Sequence, residues 1–293
     1  MDDLSTGAKE RVSSDARLEV GSLLDEAAMT RIFNTYDIDG VVHLAAKKRV
    51  DESISAPLLY FQENVEGLRL LLDRCVHSNV KYFLFSSSAS VYGAPEGVAI
   101  DERTVCEPVN VYGRTKLVGE WLTHDVGAAH GIRTLALRYF NVAGTASAAL
   151  ADTEGENLVP RTLRALARNE SPTIFGDDYP TADGTCVRDY IHVTDVADAH
   201  VSAAEALVNG RAGRSSLNIG TGRGVSVREL IDVARSVTGR SIEPIITPRR
   251  QGDPPAVVAA VDSAREMLGW KAKLDVADMV ESAWLAHLGR AAG

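Results

Sequence analysis

The chain has 293 residues and a formal net charge of −9, and 45% of its residues are hydrophobic and 24% charged. These values are typical of a globular protein with one large domain or two smaller ones and a sizeable core. No basic run occurs, which argues against nucleic acid and against an anionic membrane surface as partners. The sequence also lacks a signal-peptide pattern and an apolar stretch of about 18 residues. Its three cysteines are scattered without CxxC spacing, so we expect a cytoplasmic, reducing location.

Apolar runs alternate with helical patterns in the first half, which predicts a parallel sheet covered by helices on both faces. The predicted strands span residues 17–20, 40–44, 82–86 and 134–138. The predicted helices span residues 26–36, 57–78, 111–130, 193–208, 226–238, 262–268 and 276–288. Residues 144–157 are small, polar and rich in glycine, which indicates a crossing between two domains.

Tyr112 and Lys116 in VYGRTK are four residues apart, which places them on one face of the predicted helix 111–130. A nearby ammonium lowers the pKa of a tyrosine from about 10, so that the phenol can serve as a base. The same spacing is compatible with a solvated lysine beside a packed tyrosine. Alone, the pair is a weak indication of catalysis.

The stretch FLFSSSASVYG is an apolar strand that ends in three serines. Side chains at the carboxyl end of such a strand face the crevice where open α/β sheets bind ligands. Ser88 would then hydrogen bond to a substrate hydroxyl. Serines at a strand end also satisfy backbone groups, and this second interpretation stays open.

The glycines of NIGTGRGVSVREL, Gly220, Gly222 and Gly224, follow an apolar strand and precede a helix. Their spacing is GxGxG rather than the GxGxxG of a dinucleotide loop, and no acidic residue ends a second strand about 20 residues later. We therefore predict a structural turn at this position.

Two later stretches concentrate charge. In DGTCVRDYIHVTDVADAH the histidines share no helical face and form no HExxH pattern, so we predict no metal site there. An arginine held by a neighbouring acid and directed at a phosphate is the favoured interpretation of Arg188, and Cys186 is expected to be buried. In PRRQGDPP, Arg249 and Arg250 belong either to a solvated loop or to a rigid diphosphate clamp.

Taken together, segments along nearly the whole chain resemble the UDP-glucose 4-epimerase (UDP-galactose 4-epimerase) branch of the extended short-chain dehydrogenase/reductase family. The matching segments, in order, are VVHLAAKKRVDESISAPLLYFQENVEG, FSSSASVYG, VYGRTK, LRYFNVAG, IFGDDYPTADGTCVRDYIHV, LNIGTGRGVS and PRRQGDPP. The YxxxK pair belongs to the whole superfamily, whereas FGDDYPTADGTCVRDYIHV is particular to the epimerase branch.

The resemblance implies an NAD-dependent isomerase, a UDP-glucose/UDP-galactose 4-epimerase of galactose metabolism. Tyr112 would take the proton from the sugar 4-hydroxyl while a hydride passes from C4 to NAD. Lys116 would favour the phenolate, and Ser88 would hydrogen bond to the same sugar oxygen. The resulting 4-keto sugar would turn about its diphosphate link and take the hydride back on its opposite face, so NAD would stay tightly bound.

The resemblance also implies two sets of ligand contacts and no metal. The residues that fall on cofactor contacts are Asp2, Ser22, Leu23, Lys48, Asn64, Ser88, Tyr112, Lys116, Tyr139 and Phe140. Those that fall on the UDP-sugar site are Asn141, Asn157, Leu158, Thr173, Phe175, Arg188, Arg250, Asp253 and Val257. Arg188 and Arg250 would meet the diphosphate.

The implied fold is an α/β, Rossmann-like, doubly wound parallel sheet that lacks its first β-α unit, together with a smaller α/β substrate domain. Residues 1–141 would bind NAD, with about 187–208 returning to that domain, and residues 142–186 and 209–293 would bind the UDP-sugar. The family further implies a homodimer in which the two long helices, 57–78 and 111–130, pair across the interface.

Two positions differ from the family pattern. Ser22 stands where the family usually has an aspartate near the adenine, which predicts a weaker cofactor contact. Val257 lines the sugar pocket, where a bulky residue limits the substituent at C2. A residue as small as valine predicts turnover of UDP-N-acetylglucosamine as well.

The family begins with a strand, a GxxGxxG turn, a helix and a second strand, and Asp2 aligns with the acidic residue that ends this second strand and binds the adenosine ribose. We therefore expect the reading frame upstream of Met1 to encode a GxxGxxG turn. Two alternatives are another nucleotide-sugar dehydratase, decarboxylase or reductase, and an inactive truncated chain that binds no NAD. Dehydratases usually carry an Asp-Glu pair where this sequence has Ser88 to Ser90.

Overall fold

The structure is a computed structural model that describes residues 1–95, 97, 99–152, 155, 157–250 and 252–291. These residues form two compact units. The first unit comprises Met1–Gly93, Val105–Arg138 and His200–Leu217, and the second comprises Ala94–Thr104, Tyr139–Ala199 and Asn218–Gly293.

Helices and strands alternate through much of the described chain. The α-helices are α1 (Glu26–Thr35), α2 (Val50–Ser55), α3 (Pro57–Phe61), α4 (Gly67–His77), α5 (Val111–His130), α6 (Leu158–Ala167), α7 (Val193–Val208), α8 (Val227–Thr238), α9 (Asp262–Leu268) and α10 (Val276–Ala291). The strands are β1 (Gly40–His43), β2 (Tyr82–Ser88), β3 (Ala99–Ile100), β4 (Arg133–Tyr139), β5 (Asn141–Ala143), β6 (Thr173–Phe175), β7 (Val187–His192), β8 (Ser215–Ile219), β9 (Gly224–Ser226), β10 (Ile245–Thr247) and β11 (Ala256–Ala259).

The first unit is built on a four-stranded sheet with the strand order β1-β2-β4-β8. β1 and β2 are parallel, and Gly40 pairs with Tyr82 at the start of both strands. Phe83 of β2 belongs to the same buried cluster as Leu68 and Leu72 of α4, because helices cover this sheet. The α/β architecture predicted from the alternation of apolar runs and helical patterns is thereby confirmed.

Three predicted strands are confirmed as β1, β2 and β4, with ends shifted by one or two residues. The strand predicted at residues 17–20 is wrong. This segment makes one isolated parallel bridge, between Asp2 and Val20, and the Asp2 N–H donates to the Glu19 carbonyl oxygen at 3.1 Å. A strand needs a hydrogen-bonded neighbour along its length. Within the described residues Asp2 provides one paired position, and Val20 stays 56% exposed.

The helix predicted at residues 57–78 is confirmed, but its middle is not α-helical. α3 passes into a π-helical turn, Gln62–Glu66, before α4 begins. Asn64 lies in this turn with its side chain buried. A π turn adds a residue to the helix and is frequent at functional sites, because it redirects a side chain that a regular helix would place elsewhere.

α5 has the predicted bounds, 111–130. The side chain of Asn110 caps its first turn by accepting a hydrogen bond from the Gly113 N–H at 2.8 Å. Gly131 ends the helix in the left-handed conformation, with φ of 73°. Gly113 is needed for a close approach, because a Cβ atom there would lie 2.4 Å from the Ser90 main-chain oxygen. Local signals at both ends therefore fix the helix that carries Tyr112 and Lys116.

The second unit contains the sheet β3-β11-β7-β5, with β9 antiparallel to β7, and the parallel pair β10-β6. A buried cluster with Leu163 of α6, Leu230 of α8 and Val280 of α10 forms its helical core. The predicted later helices are confirmed, and the last extends to Ala291. The stretch 144–157, predicted as a crossing, contains Thr153, Glu154 and Glu156, which lie outside the described residues. Among the described helices, none has the length and apolarity required to cross a membrane.

Candidate active site

Lys116 is a fixed cation beside Tyr112. Its Nζ atom lies 5.9 Å from the centre of the Tyr112 ring and 5.2 Å from the centre of the Phe85 ring. The ammonium is buried and donates a hydrogen bond to the Ser86 main-chain oxygen at 2.7 Å. The alternative of a solvated lysine beside a packed tyrosine is therefore excluded.

Enclosure changes the protonation equilibrium of Lys116. Burial lowers the pKa of this lysine to about 8, and the Glu120 carboxylate acts in the opposite direction. The imidazole of His43, at the end of β1, is also buried. Burial and the charge of Lys116 lower the pKa of His43 to about 3. At neutral pH Lys116 therefore carries a charge and His43 does not.

Ser88 lies at the end of β2, and its hydroxyl is near enough to the phenol of Tyr112 to lower the pKa of that group. Its Oγ atom also accepts a hydrogen bond from the Ser90 N–H at 3.1 Å. Both interpretations of this serine thus hold at once: it satisfies a backbone group at the strand end and contacts the candidate base. The strand end brings Ser88, Tyr112 and Lys116 into one cluster, as the sequence predicts.

The pKa of Tyr112 is shifted upward, opposite to the direction that the sequence analysis predicts. Burial raises it above the ordinary value, although the hydrogen bond from Ser88 lowers it. The expectation that Lys116 lowers this pKa is therefore not met in the protein alone, because the cost of burying the phenolate is larger than the effect of Ser88. Further positive charge is needed before Tyr112 acts as a base at neutral pH.

The sequence analysis missed a buried carboxylate one turn beyond Lys116. Glu120 is 2% exposed and pairs with Arg138 of β4, whose Nη2 atom lies 2.6 Å from the Glu120 Oε2 atom. The signal available in the sequence is the continuation of the i, i+4 series from Tyr112 through Lys116 to Glu120 in VYGRTKLVGE. Its partner Arg138 could not be identified, because only the packing of α5 on β4 joins them.

Other residues predicted to contact the cofactor lie elsewhere in the first unit. The exposed carboxylate of Asp2 accepts a hydrogen bond from the Leu4 N–H at 2.7 Å. Ser22 accepts from the Leu24 N–H at 3.1 Å, and Leu23 packs against Gly67 of α4. These contacts fix the local backbone, and the cofactor contacts of these residues stay predictions.

Asn64 and Lys48 occupy different environments. The Asn64 side chain accepts a hydrogen bond from the Lys47 N–H at 2.7 Å and donates to the Lys47 carbonyl oxygen at 2.9 Å. It also donates to the Thr115 hydroxyl at 3.0 Å. Asn64 therefore ties the segment after β1 to α5, whereas the adjacent Lys48 is exposed.

The loop after β8 is the structural turn that the sequence predicts. The buried carboxylate of Asp189 accepts hydrogen bonds from the N–H groups of Thr221 at 2.8 Å and Gly222 at 2.9 Å. A Cβ atom at Gly220 would lie 2.7 Å from the same carboxylate. Burial raises the pKa of Asp189, against these hydrogen bonds. Because Asp189 uses the N–H groups that a phosphate loop would offer, this loop is not a phosphate cradle.

In the second unit, several predicted sugar-site residues meet at one place. Arg250 Nε lies 3.0 Å from Asp253 Oδ2, and Arg188 Nη2 lies 3.9 Å from Asp253 Oδ1. The guanidinium carbons of Arg250 and Arg161 lie 4.8 and 5.6 Å from the centre of the Phe175 ring. Two guanidinium groups on one carboxylate, with a third beside the same aromatic ring as Arg250, leave an excess of positive charge, which suits an anionic ligand. Arg161, one turn into α6, is a member that the sequence analysis missed.

The two arginines of PRRQGDPP have different partners. Arg249 pairs with Asp178, at 2.5 Å from Nε to Oδ1, and its guanidinium lies over the Tyr179 ring at 4.1 Å. Arg250 pairs with Asp253. Both arginines are thus held by carboxylates, which favours the clamp over the freely solvated loop.

The remaining predicted residues of the second unit are distributed over several elements. Tyr139 ends β4, and Asn157 precedes α6, which begins at Leu158. Phe140 is buried, and its N–H donates to the Ile219 carbonyl oxygen at 3.1 Å. Asn141 begins β5, Thr173 begins β6 and Val257 of β11 pairs with Arg188 of β7. Of these, Val257 is placed by strand pairing beside the arginine cluster.

Within the described ranges, no three His, Cys, Asp or Glu side chains are grouped so that they could hold a metal ion. Cys75, Cys106 and Cys186 form no disulfide with one another, and Cys186 is buried as expected. Among the described residues, the clusters of Tyr112 and of Arg250 are the arrangements that point to chemistry and binding.

Comparison with known proteins identifies the family. The model of the NAD dependent epimerase/dehydratase family matches residues 1–220. A UDP-glucose 4-epimerase of Azospirillum brasilense is 41% identical over 300 residues, which cover 100% of this chain and 86% of that protein. The UDP-glucose 4-epimerase from Brucella ovis in complex with NAD superposes with a TM-score of 0.92 at 40% identity, covering 98% of this chain and 89% of that one. The Bifidobacterium longum enzyme in complex with NAD+ and UDP gives 0.85 at 37% identity, covering 93% and 83%. The chain belongs to the NAD dependent epimerase/dehydratase family.

Proposed function

We propose that this chain is an NAD-dependent UDP-glucose/UDP-galactose 4-epimerase. The observation that carries the proposal is the buried Lys116 ammonium beside Tyr112 and Ser88, in a chain about 40% identical to UDP-glucose 4-epimerases over nearly its whole length. The first unit would bind NAD and the second the UDP-sugar.

Hydrogen-bond donors in the first unit suit the ribose hydroxyl groups of NAD. A lysine ammonium has three N–H donors, and Lys116 uses one of them on Ser86, its hydrogen-bond acceptor in the part of the chain that the structure describes. The other donors suit the hydroxyl groups of a dinucleotide. Asp2, Ser22, Leu23, Lys48, Asn64, Tyr139 and Phe140 are proposed as further cofactor contacts. The 293 residues contain no GxxGxxG sequence for the pyrophosphate, so assays of this chain should contain added NAD.

Three side chains of the first unit have separate roles in the proposed reaction. Tyr112 takes the proton from the sugar 4-hydroxyl, Lys116 stabilises the phenolate, and Ser88 hydrogen bonds to the reacting oxygen. NAD+ would supply the hydride acceptor for C4 and a positive charge near Tyr112, and Lys116 with the other proposed cofactor contacts would hold it. Proton transfer at Tyr112 is therefore tied to cofactor binding.

The arginine cluster of the second unit is the proposed diphosphate site. Arg188 and Arg250 would offer planar guanidinium groups to the phosphate oxygens, and Asp253 would orient both arginines. Phe175 supports Arg250 through its ring face. The proposed sugar-site residues outside this cluster are Asn141, Asn157, Leu158, Thr173 and Val257.

The test is conversion of UDP-galactose to UDP-glucose by the purified chain, with NAD added and the products separated by chromatography. We expect an equilibrium mixture of both sugars from either starting material. A 4-keto-6-deoxy product would instead assign the chain to the nucleotide-sugar dehydratases. Absence of any product from a folded chain with NAD present would contradict the proposal.

The size of Val257 should set the sugar range. We expect turnover of UDP-N-acetylglucosamine, and we expect Val257→Tyr to lower its kcat/KM roughly ten-fold or more while UDP-glucose is less affected. Val257→Thr, which keeps the volume, is the matched control. Equal rejection of the acetylated sugar by the native chain and by Val257→Tyr would contradict this assignment.

A homodimer through the helices of the first unit is the proposed assembly. Ile54 of α2, Leu58 of α3 and Trp121 of α5 are 66%, 85% and 58% exposed, and these three helices pack against one another. Large apolar side chains exposed on neighbouring helices are typical of an interface. Leu58→Asp should yield a monomer in sedimentation experiments, whereas Leu285→Asp, at an apolar residue of α10 that is 59% exposed, should leave the dimer intact. A native chain that sediments as a monomer would contradict the assembly.

The proposed location is the cytoplasm, and the proposed pathway is galactose metabolism. The proposal is supported by three cysteines that form no disulfide with one another, as in a reducing compartment. Localisation of the tagged full chain by fractionation checks the first statement.

A further inference from the structure

We propose that Glu120 is a positioning residue for the reaction, acting on Ser88 and Lys116 through the end of β2. The inference rests on the proposed function and extends it to a residue that contacts neither ligand nor reacting atoms. Its basis is a network of hydrogen bonds that converges on one buried carboxylate.

The Glu120 carboxylate joins α5 to three neighbouring strands. Ser87 of β2 donates to its Oε1 atom, and Arg138 of β4 donates to both oxygens, at 2.9 Å from Nε and 2.6 Å from Nη2. Ser216 of β8 donates to Oε2 at 2.9 Å. Because β2, β4 and β8 are consecutive in the sheet, this carboxylate fixes the position of α5 against all three.

The bond from Ser87 has a particular consequence. Ser87 stands between Ser86, whose carbonyl oxygen holds Lys116, and Ser88, which contacts Tyr112. Holding Ser87 by its side chain therefore holds both neighbouring contacts of the catalytic cluster in register. The strand β8 carries no member of that cluster, so the bond from Ser216 to Glu120 does not hold a catalytic contact in place.

The negative charge of Glu120 has an effect of its own on the protonation of Lys116. Burial alone would raise its pKa, but hydrogen bonds and the charge of Arg138, with the bonds of Ser87 and Ser216, lower it below the ordinary value. Arg138 is held in turn by Tyr92, whose hydroxyl lies 2.8 Å from its Nη1 atom. Glu120 therefore stays ionised at neutral pH and favours the charged form of Lys116.

The charged and titratable groups near Lys116 determine the pH at which this lysine loses its proton. Among the described residues these are Tyr112 and Glu120 of α5 and His43 of β1, while Arg138 of β4 and His124 of α5 face Glu120. His43 is neutral near pH 7. Loss of the Glu120 charge would therefore lower the pH at which Lys116 loses its proton.

The first test compares two hydroxyl deletions on the same carboxylate. Ser87→Ala and Ser216→Ala each remove one donor to Glu120 and should have similar thermal stability. We expect Ser87→Ala to lower kcat for UDP-galactose roughly ten-fold with little change in KM. Ser216→Ala should stay within about two-fold of the native kcat. Equal kcat values for the two variants would overturn the proposal, since a purely structural carboxylate would not distinguish them.

The second test uses Glu120→Gln and the pH profile of kcat, with folding checked by circular dichroism. The loss of activity should be about ten-fold larger at pH 8 than at pH 6, because Lys116 loses its proton at lower pH. If the single variant does not fold, Glu120→Gln/Arg138→Met removes the uncompensated charge and is measured instead. Asp195 of α7 is another buried carboxylate, and it accepts hydrogen bonds from the Lys273 and Leu274 N–H groups. Asp195→Asn should change activity equally at both pH values. A pH-independent loss in the Glu120 variants would overturn the proposal, whereas an inactive native chain would contradict the epimerase function itself.

Discussion

Tyr112→Phe is expected to lower kcat for UDP-galactose by about a thousand-fold, because it removes the one oxygen that takes the proton from the sugar hydroxyl. The ring remains, so the packing of α5 and the contact with Lys116 should be preserved. Steady-state kinetics and the unfolding temperature check both parts of this expectation.

Tyr82→Phe is the matched control, because Tyr82 lies at the opposite end of β2 from Ser88. It should retain native kcat. Retention of more than about a tenth of the activity by Tyr112→Phe would show that another group transfers the proton.

Lys116→Met should separate catalysis from stability. We expect kcat to fall about a hundred-fold or more, because the phenolate loses its neighbouring cation. The free energy of unfolding, in contrast, should increase at neutral pH. The lowering of the Lys116 pKa from 10.5 to about 8 corresponds to a folding cost of about 3 kcal/mol, which the methionine does not carry. Loss of the bond to Ser86 offsets part of this gain, by about 1 kcal/mol.

The stability difference between Lys116→Met and the native chain should decrease as the pH rises. Between about pH 8 and 10.5 the unfolded chain holds a proton on Lys116 that the folded chain has released, so native stability rises with pH in this window. The advantage of Lys116→Met should therefore be largest below pH 8 and should disappear toward pH 10.5. Urea unfolding at several pH values measures it. A difference independent of pH would contradict the burial of a charged lysine.

Local signals predicted the elements that carry the catalytic cluster. The helical pattern predicts the bounds 111–130, and in the structure Asn110 caps α5 and Gly131 ends it through local contacts. The placement of Tyr112 and Lys116 on one face follows from this helix. The strand at residues 17–20 could not be judged in this way, because a strand depends on neighbours that are distant in the chain.

The same limit applies inside the candidate sites. Asp189 fills the glycine loop from 32 residues away, and Arg138 reaches Glu120 across 18 residues. Neither pairing follows from composition or spacing. The raised pKa of Tyr112 likewise depends on how deeply the phenol is buried, which only the packed structure gives.

Transfer of the hydrogen at C4 tests the central proposal most directly. The purified chain would be incubated with NAD and UDP-galactose deuterated at C4, and the UDP-glucose formed would be analysed by mass spectrometry. Transient oxidation at C4 with return of the same hydride predicts UDP-glucose that retains the deuterium, and conversion about a thousand-fold slower with Tyr112→Phe. Replacement of the deuterium by solvent hydrogen, or no conversion by the folded native chain, would contradict the proposed epimerisation.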